Sequence, residues 1–327
     1  MFPATEARLQ TQLLDRRKRL QSALSEAAHQ EHLAHLLQEV DLALEKMNNG
    51  TYGICETCHD SIEEERILAD PLCRNCLDHL SPEERKALES DLDLAYQIQS
   101  ALLPKKELQV EGWSIAHHYD PAGPVSGDYC DLIVPPREPG SVYFLVGEVS
   151  GKGVAASILM AHLHAIFRSL VVLNLPVNQL VEHANRVFSE GTLSTHYATL
   201  VCGKATASGK VEVCNAGHCP PLLLQKGSVK RVGATGLPVG LFGHSQFDVT
   251  SIEVERGDTF LLYTDGLTES RNPSNLEYGE ERLIALVSGK RALPPHDLLS
   301  ACLTDLAGFR SSAPMVDDLT IMALNRK

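Results

Sequence analysis

The chain has 327 residues, 43% of them hydrophobic, and a formal net charge of −13. That length exceeds one average domain of roughly 100 to 200 residues, so one large domain with smaller attachments is expected. The negative balance argues against broad contact with nucleic acid or an anionic membrane, and the basic cluster Arg16 to Arg19 (RRKR) sits in a helical pattern that reads as a solvated face.

From Ala4 to Met47 glycine and proline are absent. Apolar residues recur at Leu9, Leu13, Leu20 and Leu24, then at Leu33, Leu37, Val40, Leu44 and Met47. The second set alternates spacings of four and three, the mark of a packed helical seam, which a helical hairpin or a dimeric coiled coil would both satisfy. Asn48, Asn49 and Gly50 stop the helix. A second helix is expected from Ser81, where a capping hydroxyl, Pro82 at the first helical position and two acids face the positive end of the helix dipole. It carries Leu88, Leu92, Ala95, Ile98 and Leu102 on one face and ends before Pro104; that stripe needs a partner, and a homodimer through the N-terminal and linker helices is expected.

After Pro104 the texture changes to short strand-like runs, at Tyr143 to Val149, Tyr197 to Lys204, Lys210 to Cys214, Pro221 to Leu224, Phe247 to Val254, Thr259 to Tyr263 and Leu319 to Leu324. Helical patterns interrupt them at Ala155 to Leu173, Pro176 to Ser189, Glu280 to Ser288 and His296 to Gly308. Mixed strands and helices of this kind argue an α+β domain of layered antiparallel sheets covered by helices. The expected division is residues 1–48 helical, 49–80 a cysteine module, 81–104 a linker helix and 105–327 the main domain. No charged segment followed by an apolar core begins the chain, and no uninterrupted run approaches the roughly 18 apolar residues of a membrane span, so a cytoplasmic location is expected.

Of nine cysteines, four pair as Cys55-x2-Cys58 and Cys73-x2-Cys76, while Cys130, Cys202, Cys214, Cys219 and Cys302 are scattered and read as small buried hydrophobes. The two pairs can converge tetrahedrally on one zinc, although the 14-residue gap between them is slightly short for a ribbon. A closed sulfur shell leaves no position for water, so the zinc is structural, and in about thirty residues it must supply most of the folding energy, on the order of 10 kcal/mol. The segment GTYGICETCHDSIEEERILADPLCRNC resembles the DksA/TraR-type zinc finger, in which a helical hairpin precedes the first cysteine pair. The resemblance implies one structural zinc and admits contact with a partner such as RNA polymerase. The acidic hairpin-tip motif of the larger family members has no clear counterpart in Leu24 to Leu33, so the module reads as a regulatory or dimerising attachment.

Four acids in the main domain share one setting, where an apolar strand pattern meets a turn: Asp128 in SGDYCD, Glu148 in GEVSGKG, Asp265 in LLYTDGL and Asp317 in VDDLT. Singly, each is a turn residue. Together they are hard oxygen donors without nearby imidazole or thiol, suited to magnesium or manganese, and a two-metal cluster of that kind supports in-line phosphoryl displacement by water. The ordered motifs AYQIQSALLP, PAGPVSGDYCD, GEVSGKGVAASILMA, YATLVCGKA, NAGHCPPLLL, GLPVGLF, LLYTDGLTES and DDLTIMAL resemble the SpoIIE/RsbU-type serine phosphatases of the metal-dependent PPM superfamily, from about Leu92 onward.

That resemblance implies an α-β-β-α sandwich with two manganese or magnesium ions at one end. It implies Asp128, Glu148, Asp265 and Asp317 as metal-holding catalytic residues, Glu148 in the bridging position, the Val149 carbonyl as a further ligand, and Asp318 behind them. His218 in NAGH is either a hydrogen-bonding or acid group or a support for its turn. The implied substrate is a phosphorylated STAS-type anti-sigma-factor antagonist, hydrolysed without a phosphoenzyme. Glu148 departs from the family's usual aspartate by one methylene, which leaves three readings open: an active enzyme with adjusted geometry, one with weakened metal affinity, or a pseudophosphatase that binds without turnover. A DksA-like binding protein with an inert C-terminal domain is the further alternative. Lys152 in SGKG lacks the full G-x4-G-K-[ST] spacing of a P-loop, so nucleotide hydrolysis is a weak reading.

Overall fold

A computed structural model describes residues 3–26, 30–136, 138, 140–193 and 195–327. The chain divides into two compact units, Met1–Asp91 and Leu92–Lys327.

In the first unit, α1 (Pro3–Glu26) and α2 (Gln30–Asn49) pack side by side. The seam expected from the heptad spacing is filled within the chain, where Val40, Leu44 and Met47 share one buried cluster with Leu9 and Leu13, and Arg17 pairs with Asp41 at 2.7 Å. Gly50, at φ +74, follows the last helical residue where only a residue tolerant of left-handed backbone ends the helix without strain. The same cluster takes in Cys55, Ile62, Ile67 and Cys76 of the cysteine module, which contains the short helix α3 (Glu64–Ala69) and a 3-10 turn at Leu77–His79.

Helix α4 (Pro82–Leu102) opens on a reciprocal capping box. The Glu84 N–H donates to Ser81 Oγ at 3.1 Å, and the Ser81 N–H donates to the Glu84 carboxylate at 2.9 Å. Its expected apolar stripe is only partly covered, since Leu88 and Ile98 are exposed while Leu102 packs on the core of the second unit.

The second unit runs β1 (Glu107–Val110), β2 (Trp113–Asp120), β3 (Asp128–Ile133), β4 (Ser141–Val149), α5 (Gly153–Val171), α6 (Val177–Gly191), β5 (Ala198–Thr206), β6 (Lys210–Ala216), β7 (Leu222–Gln225), β8 (Ser228–Arg231), β9 (Thr250–Glu253), β10 (Thr259–Tyr263), α7 (Asp265–Thr268), α8 (Glu280–Val287), α9 (Pro295–Arg310) and β11 (Leu319–Arg326). Its strands form two antiparallel sheets, one in the order β1-β2-β11-β10-β7-β8 and the other β3-β4-β5-β6-β9.

Side-chain alternation along β4 explains the layering. Val142, Phe144 and Val146 point into the cluster between the sheets with Phe260, Leu262, Met322 and Leu324, whereas Tyr143 and Leu145 point the other way, onto Leu163 and Phe167 of α5 and Leu180 and Phe188 of α6. On the far face, Leu261, Tyr263, Ile321 and Ala323 pack on Leu283 of α8 and Leu298 and Cys302 of α9. The result is the expected α-β-β-α sandwich. Helix α5, at mean hydropathy 1.6 over a span-length window, is long and apolar enough by composition to cross a membrane, which inspection of uninterrupted runs did not suggest; one face of it is a core face of this sandwich.

Candidate functional site

The sheet register brings the four acids to one end of the sandwich. Asp128 opens β3 and lies directly across from Glu148 near the end of β4. In the other sheet Tyr263 of β10 pairs with Ile321 of β11, so Asp265, two residues beyond Tyr263, and Asp317, four before Ile321, leave their strands at the same edge. Antiparallel pairing in each sheet therefore contributes two carboxylates.

Asp128 is buried and is joined to the opposite sheet. Thr264 Oγ1 donates to its Oδ2 at 3.0 Å and Thr320 Oγ1 donates to the same oxygen at 2.5 Å, while the Asp128 N–H donates to Ser126 Oγ. Burial raises its carboxyl, the two hydroxyls pull it back, and the charges of Asp318 and Asp265 raise it again, to about 8. Glu148 is also pushed up to about 8, first by burial and then by the charges of Asp265, Asp128 and Asp317. Burial and the Asp317 charge raise Asp265 as well. Crowded carboxylates of this kind are relieved by a bound cation, and an all-oxygen donor set fits magnesium or manganese.

Around them, Asp318 fixes the loop that leads to Asp128 by accepting the N–H groups of Ala122 at 2.8 Å and Gly127 at 2.9 Å. Gly127 is glycine for a reason of space, since a Cβ there would lie 3.1 Å from the Val149 carbonyl oxygen and 3.2 Å from the Ala156 side chain. Gly266 is constrained more severely, with a Cβ position 1.9 Å from the Asp318 carbonyl oxygen, so the glycine of TDG permits the close approach of the two acidic turns. Lys152, at the head of α5, pairs with Asp317 Oδ2 at 2.9 Å and donates to the Val316 carbonyl at 3.1 Å.

His218 is buried in the NAGH turn. Burial pushes its imidazole down to about 4, so it is neutral at physiological pH; its Nδ1 meets Thr199 Oγ1 at 2.8 Å, and Thr199 is the cross-strand partner of Glu148. Asn215 closes the NAGH turn by accepting the His218 N–H and donating to its carbonyl. Thr264 and Thr320 escaped the sequence reading, although each lies inside a quoted motif, because hydroxyls beside acids are common. Cys219, read from the sequence as a small buried hydrophobe, is half-buried, and its thiol is raised to about 12, chiefly by burial and then by the nearby charges of Asp265 and Glu148.

In the cysteine module, Cys55, Cys58 and Cys76 gather with His79, their ligand atoms all within 4.8 Å of one another; this is the tight group of potential ligands found among the described residues. Cys73, expected as the fourth ligand, stands outside it. Its N–H donates to the Asp70 carbonyl, and the turn through Pro71 and Leu72 places it on the lining of a small cavity with Leu42, Ala43 and Tyr52.

The profile of the family described as Stage II sporulation protein E (SpoIIE) matches residues 138–327. The chain belongs to the SpoIIE family. A second profile, the prokaryotic dksA/traR C4-type zinc finger, matches residues 50–78. Among relatives of this SpoIIE-family chain, Protein IcfG of Synechocystis sp. is 26% identical over 72% of the chain and 41% of its own length. Phosphoserine phosphatase RsbU of Bacillus subtilis is 23% identical over 74% of the chain and 72% of its own length. The chain thus spans less than half of IcfG. A crystal structure of the RsbU and RsbW domains of Rv1364c from Mycobacterium tuberculosis superposes with a TM-score of 0.58 at 30% identity, covering 67% of this chain and 61% of that one. The SpoIIE-type sandwich is thereby confirmed as the fold.

Proposed function

We propose that residues 105–327 are a metal-dependent protein serine/threonine phosphatase acting on a phosphorylated STAS-type anti-sigma-factor antagonist in a partner-switching pathway. The observation that carries this reading is the convergence of Asp128, Glu148, Asp265 and Asp317 from two sheets on one edge, with Asp128 fixed by hydroxyls of the opposite sheet. The similarity to RsbU, a phosphoserine phosphatase, supports it.

In the proposal these four carboxylates, with the Val149 carbonyl, would hold two manganese or magnesium ions, whose Lewis acidity polarises a phosphate ester and its attacking water. The chain's own groups organise that site. Thr264 and Thr320 aim Asp128, Asp318 holds the loop before it, and Lys152 orients Asp317. The mutual repulsion of Glu148 and Asp265 would be relieved when cations are taken up. Val154, Ile158 and Val316, exposed on the helix and turn adjoining these acids, support a folded protein substrate, which covers such side chains, over a small phosphate ester. Exposed Leu88, Leu94 and Ile98 of α4 support the homodimer expected of that helix.

The test is manganese-dependent phosphate release from a phosphorylated STAS protein. Asp265→Asn is expected to lower turnover by on the order of a hundredfold, and Glu148→Asp to retain it, because one methylene changes the reach of the ligand and not its charge. A silent wild type with turnover recovered in Glu148→Asp would replace catalysis by phosphoprotein binding as the function. Undiminished turnover in Asp265→Asn would remove the metal-site reading.

A further inference from the structure

We propose that the zinc of the N-terminal module is held by Cys55, Cys58, Cys76 and His79, a shell of three sulfurs and one nitrogen, and that Cys73 is not a ligand. The proposal concerns the cysteine module alone and stands apart from the phosphatase reading.

Geometry carries it first. Four ligand atoms lie within 4.8 Å of one another, one from each of these residues. Cys58 Sγ and Cys76 Sγ are 3.8 Å apart, and a tetrahedral zinc with bonds of about 2.3 Å to sulfur requires an edge of about 3.8 Å. His79 Nδ1 faces Cys76 Sγ at 3.2 Å. The backbone prepares this approach through the 3-10 turn Leu77–His79, in which the His79 N–H donates to the Cys76 carbonyl at 3.0 Å. The Glu63 carboxylate accepts the Leu77 N–H at 3.2 Å, holding the start of that turn.

Chain spacing agrees. Ribbon-like zinc sites place about 15 to 20 residues between their two ligand pairs. Residues 59–72, which separate Cys58 from Cys73, are 14 and fall short, whereas residues 59–75, which separate Cys58 from Cys76, are 17. The second ligand pair then reads Cys76-x2-His79, the same interval as Cys55-x2-Cys58. The three-residue shift also explains why a sequence with two evident C-x2-C pairs gathers a histidine.

Cys73 is occupied elsewhere. It lies on the cavity lined by Leu42 and Ala43 of α2, with the Arg66 charge near its thiol. Tyr52 Oη donates to the Pro71 carbonyl at 2.9 Å and Arg66 Nε donates to the Asn75 carbonyl at 3.0 Å, so the segment on both sides of Cys73 is pinned. Carrying its sulfur to the metal would give up these contacts. With neutral imidazole in place of a fourth thiolate, the site bears a net charge of about −1 instead of −2, which lowers the cost of holding it against the apolar seam of Val40, Leu44 and Met47.

The experiment uses the full chain with cobalt(II) in place of zinc, read by the sulfur-to-cobalt charge-transfer band and the ligand-field bands. Oxygen ligands in the main domain give no sulfur band, so the module is observed alone. The wild type is expected to show a three-sulfur, one-nitrogen spectrum, and Cys73→Ser to keep that spectrum, one zinc per chain and an affinity within about threefold. His79→Gln is expected to weaken cobalt at least tenfold, in the range found when a metal's supporting groups are removed. Because His79→Gln could fail to fold, His79→Cys provides the second arm, expected to bind metal with the ligand-field bands moved to the four-sulfur pattern. A wild-type spectrum already of four-sulfur type, a tenfold loss in Cys73→Ser, or an unshifted spectrum in His79→Cys would each overturn the assignment.

Discussion

Asp128 and Glu148 are both held at about 8, far above the roughly 4 of a carboxyl in an unfolded chain. The folded, metal-free protein therefore keeps protons that the unfolded chain has released. Stability from these groups is full below about pH 4 and is lost as pH rises through about 8. His117 and His218, both lowered to about 4 by burial, stay neutral in the fold above pH 6 while the unfolded chain's imidazoles lose their protons near 6.5, which offsets part of the fall without reversing it. The melting temperature without metal is expected to fall by several degrees from pH 6 to 8, and the stabilisation given by manganese to grow over the same interval, as cations replace protons. Asp128→Asn should flatten the metal-free slope. A metal-free wild type whose melting temperature does not move between these pH values would show that the carboxyls are not protonated in the fold. The acids themselves were legible because each stands at a strand end in a recognisable motif. Thr264 and Thr320 were not, since their value lies in reaching across to Asp128 from the other sheet, a contact no local pattern encodes.

At the scale of elements, α4 presents two different surfaces. Gln99 is buried and meets Ser126 twice, its Nε2 donating to the Ser126 carbonyl at 2.7 Å and its Oε1 accepting the Ser126 N–H at 2.9 Å. Ser126 lies two residues before Asp128, so this helix holds the backbone that aims a proposed metal ligand. One position earlier, Ile98 is 57% exposed. Gln99→Leu would strand two buried backbone groups at about 1 to 3 kcal/mol and is expected to raise the manganese concentration needed for half-maximal phosphatase activity several-fold without changing molecular mass. Ile98→Glu should instead lower the sedimenting mass if the exposed stripe is a dimer contact. Unchanged manganese dependence in the first variant would detach this helix from the site, and unchanged mass in the second would remove the stripe from any interface. Periodicity located α4, α5, α6, α8 and α9 because each carries an apolar face. It missed β2, whose paired histidines interrupt the strand pattern, and it did not single out Gln99, because a buried glutamine is justified only by the loop it binds.

For the whole molecule, the two compact units gather potential metal ligands of opposite chemistry. The first unit's cluster includes Cys55 and Cys76, so its apolar seam and its soft thiolate site are one structure, and losing zinc would expose Ile62 and Ile67 along with the sulfurs. The second unit has its own three-layered core and gathers hard carboxylates that repel one another until a divalent cation is bound. A zinc-selective chelator in excess magnesium is therefore expected to lower one calorimetric transition and leave the other in place, while manganese added to the zinc-loaded protein should raise only the second. Limited proteolysis gives the assignment, with cleavage within residues 50–80 appearing on zinc removal and residues 105–327 remaining intact. If both transitions shift together with either metal, the units fold as one cooperative body, and the zinc module acts on the carboxylate site through stability itself.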